Sequence, residues 1–268
     1  MRKLILLLVF LTPSLLFGRG LARLDNNLFF SYGIDYKDGV EIKHKFGRNE
    51  DIDTAANEGI AFHGGSIVMD VDNANCFIAS TDAGDGQDII IKGLDLSYEE
   101  QSETVTLNGQ TPVQISGDWE TIFNAANVGS TDLAGTVAIM DANNFASGAS
   151  GSASDTLLAF DGDDNQALST QYMVSVNKTA YITGVYAAIS KDTIASATVT
   201  LKIKLFGEVW RTRRQITVSA TGSSLSVSPA LLAIRVPAKS QIKMFVPYCS
   251  DANSIVTGGY DMIIIDDD

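Results

Sequence analysis

Residues 93–113 read Gly93-Leu94-Asp95-Leu96-Ser97-Tyr98-Glu99-Glu100-Gln101-Ser102-Glu103-Thr104-Val105-Thr106-Leu107-Asn108-Gly109-Gln110-Thr111-Pro112-Val113, and this stretch decides the fold. Thr104 to Leu107 alternates polar and apolar side chains with the period of two that sends successive residues to opposite faces of a strand. Asn108-Gly109 follows, a pair that tolerates positive φ and is the strongest short signal for a hairpin turn. Thr111 to Ile115 resumes the alternation, so the run predicts a β-hairpin. A strict two-residue loop would set Val105 opposite Pro112 and Thr104 opposite Val113, mixing the faces. An odd-length loop lets Val105 and Val113 share one face, so the expected turn is irregular or bulged.

Strand signals extend on both sides. Upstream stand Ile67 to Val71, Phe77 to Ala79 and Asp88 to Lys92, the last preceded by the turn Asp82 to Gly86. Downstream, Trp119 to Val128 leans towards a strand and Gly135 to Met140 closes the block. Short strands at even spacing predict a sandwich or partly closed barrel. Residues 146–155 (ASGASGSASD) have linker composition, with a long inter-strand loop as the open alternative. A second series comprises Gln171 to Val176, Thr179 to Ile189, Thr198 to Phe206, Glu208 to Arg214, Gln215 to Ser219, Ala233 to Pro237, Gln241 to Pro247 and Tyr260 to Ile265. In Thr198 to Phe206, Val199, Leu201, Ile203 and Leu205 are expected to face inward, with Lys202 and Lys204 outward on an exposed face or guarded edge.

The expected fold is all-β: two β-sandwich or jelly-roll-like modules behind an irregular N-terminal arm. The boundaries read 1–22 leader, 23–65 extended arm, 66–145 first module, 146–155 linker and 156–268 second module. Met1 to Ala22 has the order of a secretory signal peptide, with Arg2-Lys3, the apolar run Leu4 to Leu11 and the small-x-small site Gly20-Leu21-Ala22. An upstream start codon or a short anchoring helix is the competing reading, and no membrane span is expected in a mature chain. The arm is the candidate docking element, through Leu28, Phe29, Phe30, Phe46 and Arg48.

The formal net charge of −13 over 268 residues disfavours a nucleic-acid partner, which needs clustered cations. The one basic cluster, Arg211, Arg213 and Arg214, lies in a strand-like stretch and reads as a solvated face or a local anion or subunit contact. Cys76 and Cys249 have no CxxC spacing; two reduced core thiols are expected, with a long-range disulfide open in an exported chain. His44 and His63 lack metal-ligand spacing, and a hydrogen-bonding role is expected of both, with Asp53 or Ser66 as conceivable neighbours. Asp161-Gly162-Asp163-Asp164-Asn165 starts like a calcium loop, but Gln166 stands where the loop needs Gly and Tyr172 where it needs Glu. A polar turn is expected. No catalytic residue, cofactor or metal site is predicted.

The run 93–113 resembles the pattern GLD-x-x-Y-x-E-x-x-E-T-V-T-L-N-G-x-T-x-V of virion-associated β-rich structural proteins of marine tailed bacteriophages. Gly93, Leu94, Asp95, Tyr98, Glu100, Glu103 to Gly109, Thr111 and Val113 match it. Phe46 to Thr54 is similar to that family's FGxN-x-D-x-D-T, Val176 to Tyr181 to its V-P-x-G-K-T-A-Y, and Val236-Pro237-Ala238 to a late element, although Val176-Asn177 stands in place of Pro-Ala. The resemblance spans roughly residues 44–266 and implies a virion structural or surface role as head decoration, tail or fibre-base part. Its partners would be other virion proteins and copies of itself. The alternative, favoured by the leader, is an exported bacterial β-sandwich adhesin or glycan-binding protein.

Overall fold

The computed structural model describes residues 39–54, 57–62, 69–71, 75–141, 145 and 155–267, with backbone alone for 227–232. The regular structure of these residues is all β. The strands are β1 (Val40–Ile52), β2 (Glu58–Gly59), β3 (Cys76–Ser80), β4 (Asp88–Asp95), β5 (Glu100–Thr106), β6 (Val113–Ile115) and β7 (Trp119–Asn127). They continue with β8 (Val137–Met140), β9 (Thr156–Phe160), β10 (Tyr172–Met173), β11 (Lys178–Lys204), β12 (Trp210–Val236), β13 (Gln241–Cys249) and β14 (Ser254–Asp266). Among the described residues a 3-10 turn covers Gly162–Asp164.

Two small antiparallel sheets, ordered β6-β3-β8-β9 and β5-β4-β7, share one core. Ile78, Ile139, Leu158 and Phe160 come from the first sheet, and Ile89, Ile91 and Ile122 from the second. All seven are buried, and each large apolar side chain removed from water contributes about 1.5–3 kcal/mol. This is a β-sandwich, and alternation within each strand supplies its inner face.

The predicted hairpin is rearranged. β5 pairs with β4 from Leu94↔Glu100 to Asp88↔Thr106, whereas β6 pairs with β3. The hairpin turn therefore lies earlier, at Asp95 to Glu99. The Asp95 carboxylate accepts the Ser97 and Glu99 N–H groups at 2.8 and 2.9 Å, and Tyr98 takes a φ of 66°. The Tyr98 N–H donates to the Asp95 carbonyl at 2.8 Å, and the left-handed Tyr98 closes this three-residue loop. Asn108-Gly109 does turn the chain, with Thr111 N–H donating to the Asn108 carbonyl at 3.0 Å, but it turns it from one sheet of the sandwich to the other. Val105 and Ile115 thus reach one core from opposite sides, which resolves the mixed faces of a two-residue loop. Gly109 has φ 55°, and a Cβ there would stand 2.5 Å from the Ala83 carbonyl oxygen.

The expected linker at 146–155 is not a boundary between modules. Residues 146–154 lie outside the described set, but β8 and β9 on either side are paired neighbours in one sheet. β8 and β9 therefore belong to one sandwich, which continues to Ala167 in the same core. The arm is corrected likewise. Leader residues 1–22 and Leu28, Phe29 and Phe30 lie outside the described residues, but β1 is an integral strand, paired with β14 from Val40↔Ile265 to Ile52↔Ser254. The sequence reads Val40 to Lys43 as a short strand or packing arm and Phe46 to Thr54 as irregular, because polar and charged residues interrupt the alternation.

The second module is a seven-stranded antiparallel sheet, ordered β1-β14-β11-β13-β10, with β12 on β11 and β2 on β13. β11 and β12 are single strands of 27 residues each, where the sequence reads as several short ones. The bulge at Ile182/Gly184 shifts the buried set of β11 from Ala180 and Ile182 to Val185, Ala187 and Ile189, and the irregularity at Lys191/Ile194 keeps that register through Ala195 to Ile203. β13 and β14 succeed each other along one side of β11, and β12 covers the other. Val199, Leu201 and Ile203 are buried as expected and join Met244, Val256 and Met262 in a second core. Buried Gln171 ties the modules together: its Nε2 donates to the Ile122 carbonyl of β7 at 2.7 Å and the Leu157 carbonyl of β9 at 3.0 Å.

Candidate functional site

Where β1 crosses the sandwich, a cleft of about 540 Å³ opens between β1, β4, β5 and β7. Strand alternation puts Glu41, Lys43 and Lys45 of β1 on one face. Lys43 Nζ lies 3.0 Å from Glu100 Oε1 and 3.2 Å from Glu41 Oε1, and donates to the Tyr172 hydroxyl at 3.2 Å. Lys178 approaches the same carboxylates at 3.5 and 3.7 Å. Partial burial raises the Glu100 pKa, but the charges and hydrogen bonds of Lys43 and Lys178 outweigh it and hold the carboxyl below its usual range. Burial, followed by the Glu100 and Glu41 charges, pushes the Tyr172 phenol well above its usual value.

Lys45 differs from its neighbour. Its ammonium donates to the Phe123 carbonyl at 2.8 Å and meets no carboxylate among the described residues. Burial, then the charge of Lys43, lowers its pKa to about 7. Phe123 packs on Tyr172 with ring centroids 4.8 Å apart, forming the aromatic floor beneath both lysines. The cleft is therefore a paired-charge joint between modules, with one amine able to lose its proton near neutrality. Pattern reading missed it because its residues come from five separate strands and share no motif.

His44 takes the expected hydrogen-bonding role. Its Nδ1 is 2.7 Å from Asp261 Oδ1, and its Nε2 is 2.9 Å from the Tyr186 hydroxyl. An ionised Asp261 only accepts, so Nδ1 carries the proton and Nε2 accepts from Tyr186. The order carboxylate, imidazole, hydroxyl is that of a hydrolase triad. The hydroxyl is unsuited to attack: burial, then the Asp261 charge, pushes Tyr186 up to about 12, and its ring stacks flat on His44 at 5.6 Å. The imidazole and carboxylate are both more than half exposed, so water is not excluded. The arrangement cross-ties β1, β14 and β11.

Of the proposed docking residues, Phe46 stacks on Tyr186 at 6.5 Å, and Arg48 bonds Asp164 at 2.8 Å and Glu50 at 3.0 Å. Both are engaged within the fold. His63 and Ser66 lie outside the described residues, and Asp53 donates its backbone N–H to Glu58. Asp161 to Asn165 forms the expected polar turn, with Asp164 turned to Arg48. Cys76 and Cys249 are free, buried and in different cores; burial, then Asp141, pushes Cys76 up to about 12. Among the described residues no group of three or more His, Cys, Asp or Glu side chains is placed to hold a metal ion. No helix among them is long and apolar enough to cross a membrane.

No protein-family model matches the chain, and no curated protein does. Among solved structures, the empty top component of cowpea mosaic virus is 13% identical, covering 74% of this chain and 83% of its own, at a TM-score of 0.21. The tandem CBM22 domains of Paenibacillus barcinonensis Xyn10C are 11% identical, covering 86% and 94%, at 0.24. Infectious bursal disease virus, Gt strain, is 9% identical, covering 87% and 74%, at 0.21. At such scores the similarity carries no inference about family, partner or activity.

Proposed function

We propose that this protein is a phage virion structural component, a head-decoration, tail or fibre-base part, that works by attachment and does not turn over a substrate. The observation that carries the reading is what the phage-like run 93–113 does in the fold. Gly93 lies against the Thr121 carbonyl and the Trp119 ring, where a side chain would not fit. Asp95 closes the β4–β5 turn, and the Tyr98 carbonyl accepts the Val176 N–H across to the second module. Glu103 holds the Ser116 hydroxyl and N–H, and Gly109 makes the corner between sheets. Leu94, Val105 and Leu107 are buried. Every one of these roles is architectural, which suits a motif that specifies a scaffold.

The test is mass spectrometry of purified particles from a host carrying this gene. Copies in defined ratio to the major capsid protein support the reading, and absence from intact particles overturns it. Met1 to Ala22 favours the second reading, an exported adhesin or glycan-binding protein. Export and cleavage after Ala22 in a leader–reporter fusion, together with absence from particles, would establish that one instead.

A further inference from the structure

The net charge of −13 is an uneven sum. Lys92 is the only cation between Asp70 and Lys178, a stretch rich in Asp and Glu that supplies the whole sandwich. Between Glu208 and Asp251, by contrast, there is no carboxylate at all. The fold gathers this sequence asymmetry at one strand end. At the β11–β12 hairpin end, β13, β11 and β12 lie side by side, and Lys202 stands directly opposite Lys243 on one side and Thr212 on the other. Lys202, Lys204 and Lys243 share one face of the sheet, whereas Arg211 and Arg214 stand opposite Ile203 and Leu201 and so belong to the other face. With Arg213 they make this end of three adjacent strands basic on both faces.

Two of these six have a carboxylate partner among the described residues: Lys204 with Asp70 at 3.5 Å and Arg211 with Glu208 at 3.0 Å. Lys202 and Lys243 rest instead on the Phe245 ring, at 4.9 and 4.5 Å, and Lys243 also lies 4.2 Å from the Trp210 ring. Facing like charges on neighbouring strands are unfavourable, and the fold tolerates them here. The bulge at Leu201/Lys202 leaves Arg213 as the extra residue of β12. Among the described residues β12 pairs only with β11, so the three arginines stand on the outermost described strand of that side of the sheet.

The counterpart is on the same chain. Asp82, Asp88, Glu99, Asp118 and Asp132 are exposed on the sandwich, with no ion-pair partner among the described residues. We infer that the basic end of the β11–β12 hairpin docks onto the acidic sandwich of a second copy of this chain. The contact joins two different patches, so it closes reciprocally as a twofold dimer or propagates head-to-tail into a ring or an open array. It deepens the attachment reading and rests on it, naming the surface that copies would use. Opposite potentials steer such an encounter and make it salt-dependent.

The test is sedimentation of the purified chain at about 0.05 M and about 0.5 M salt, conditions that bracket strong and weak screening. Wild type should associate into dimers or larger species at low salt and dissociate at high salt. Arg213→Glu/Arg214→Glu, folded by circular dichroism, should associate about tenfold more weakly or stay monomeric. An Asp88→Lys/Glu99→Lys/Asp118→Lys chain should behave likewise, and mixing the two should restore association. A wild type monomeric at low salt, or association unchanged in the arginine variant, overturns the inference. Monomers that instead bind a single-stranded DNA oligonucleotide through Arg213 and Arg214 overturn it in favour of a nucleic-acid surface. A chain found in particles yet monomeric alone loses this inference only; one that self-associates but is absent from particles loses the virion reading.

Discussion

The sandwich of β3 to β9 and the sheet built on β11 to β14 bury Val, Ile and Leu by the same period-two alternation, yet they differ in strand length and charge. The sandwich uses strands of at most nine residues, closes its core between two sheets and carries one cation, Lys92. The second sheet uses two 27-residue strands and carries many cations, six of them at the β11–β12 hairpin end and Lys43, Lys45 and Lys178 at the joint. Core packing is indifferent to what the outer faces carry, so the charge difference is free to serve attachment. The joint between the regions is polar and specific, made by Gln171, the Lys43–Glu100 pair and Lys45.

The largest effect expected is on the sandwich core. Phe160→Ala should cost about 3–5 kcal/mol, read from the denaturant midpoint. Because the regions are strapped together, wild type should unfold in one transition; two separate transitions would break the picture of a joined pair. Gln171→Ala leaves the Ile122 and Leu157 carbonyls without this donor and should cost about 1–3 kcal/mol. A loss within error would show that the strap is incidental.

A pH-gated difference sharpens the joint further. Lys45 is lowered to about 7 from 10.5, so between those values the unfolded chain binds the extra proton. Stability attributable to Lys45 therefore rises with pH across that window and is flat below it. The urea midpoint of wild type minus that of Lys45→Met should climb from pH 7 to pH 10; a constant difference would remove Lys45 from the joint. The smallest effect belongs to Glu100→Gln, about 0.2–1 kcal/mol, because the pair with Lys43 is partly solvated.

Much of the architecture was legible in the alternation of particular segments. Thr198 to Phe206 gave its inner face correctly, and Trp119 to Asn127 is the strand its pattern suggested. Pairing was not legible, since alternation says which face is buried and nothing about which strand lies alongside. Asn108-Gly109 signals a turn truly but not its destination, and the real hairpin turn rests on Asp95 and on a left-handed Tyr98 that no propensity favours. Residues 146–155 have linker composition, yet the strands on either side of them, β8 and β9, pair within one sheet, which composition cannot reveal. Val40 to Lys43 was legible as a possible short strand, but the full length of β1 was not, because Glu41, Lys43, His44 and Lys45 serve the joint and the cross-tie and so interrupt the apolar pattern. Arg211, Arg213 and Arg214 were visible as a cluster, but Lys202, Lys204 and Lys243 joined them only once three strands were aligned.

Zero-length carbodiimide cross-linking of mixed light and isotopically heavy chains at low salt tests the opposed-charge account most directly. The account predicts intermolecular links from Lys202, Lys204 or Lys243 to Asp82, Asp88, Glu99, Asp118 or Asp132. Intermolecular links confined to one region, or none between light and heavy chains, would contradict it.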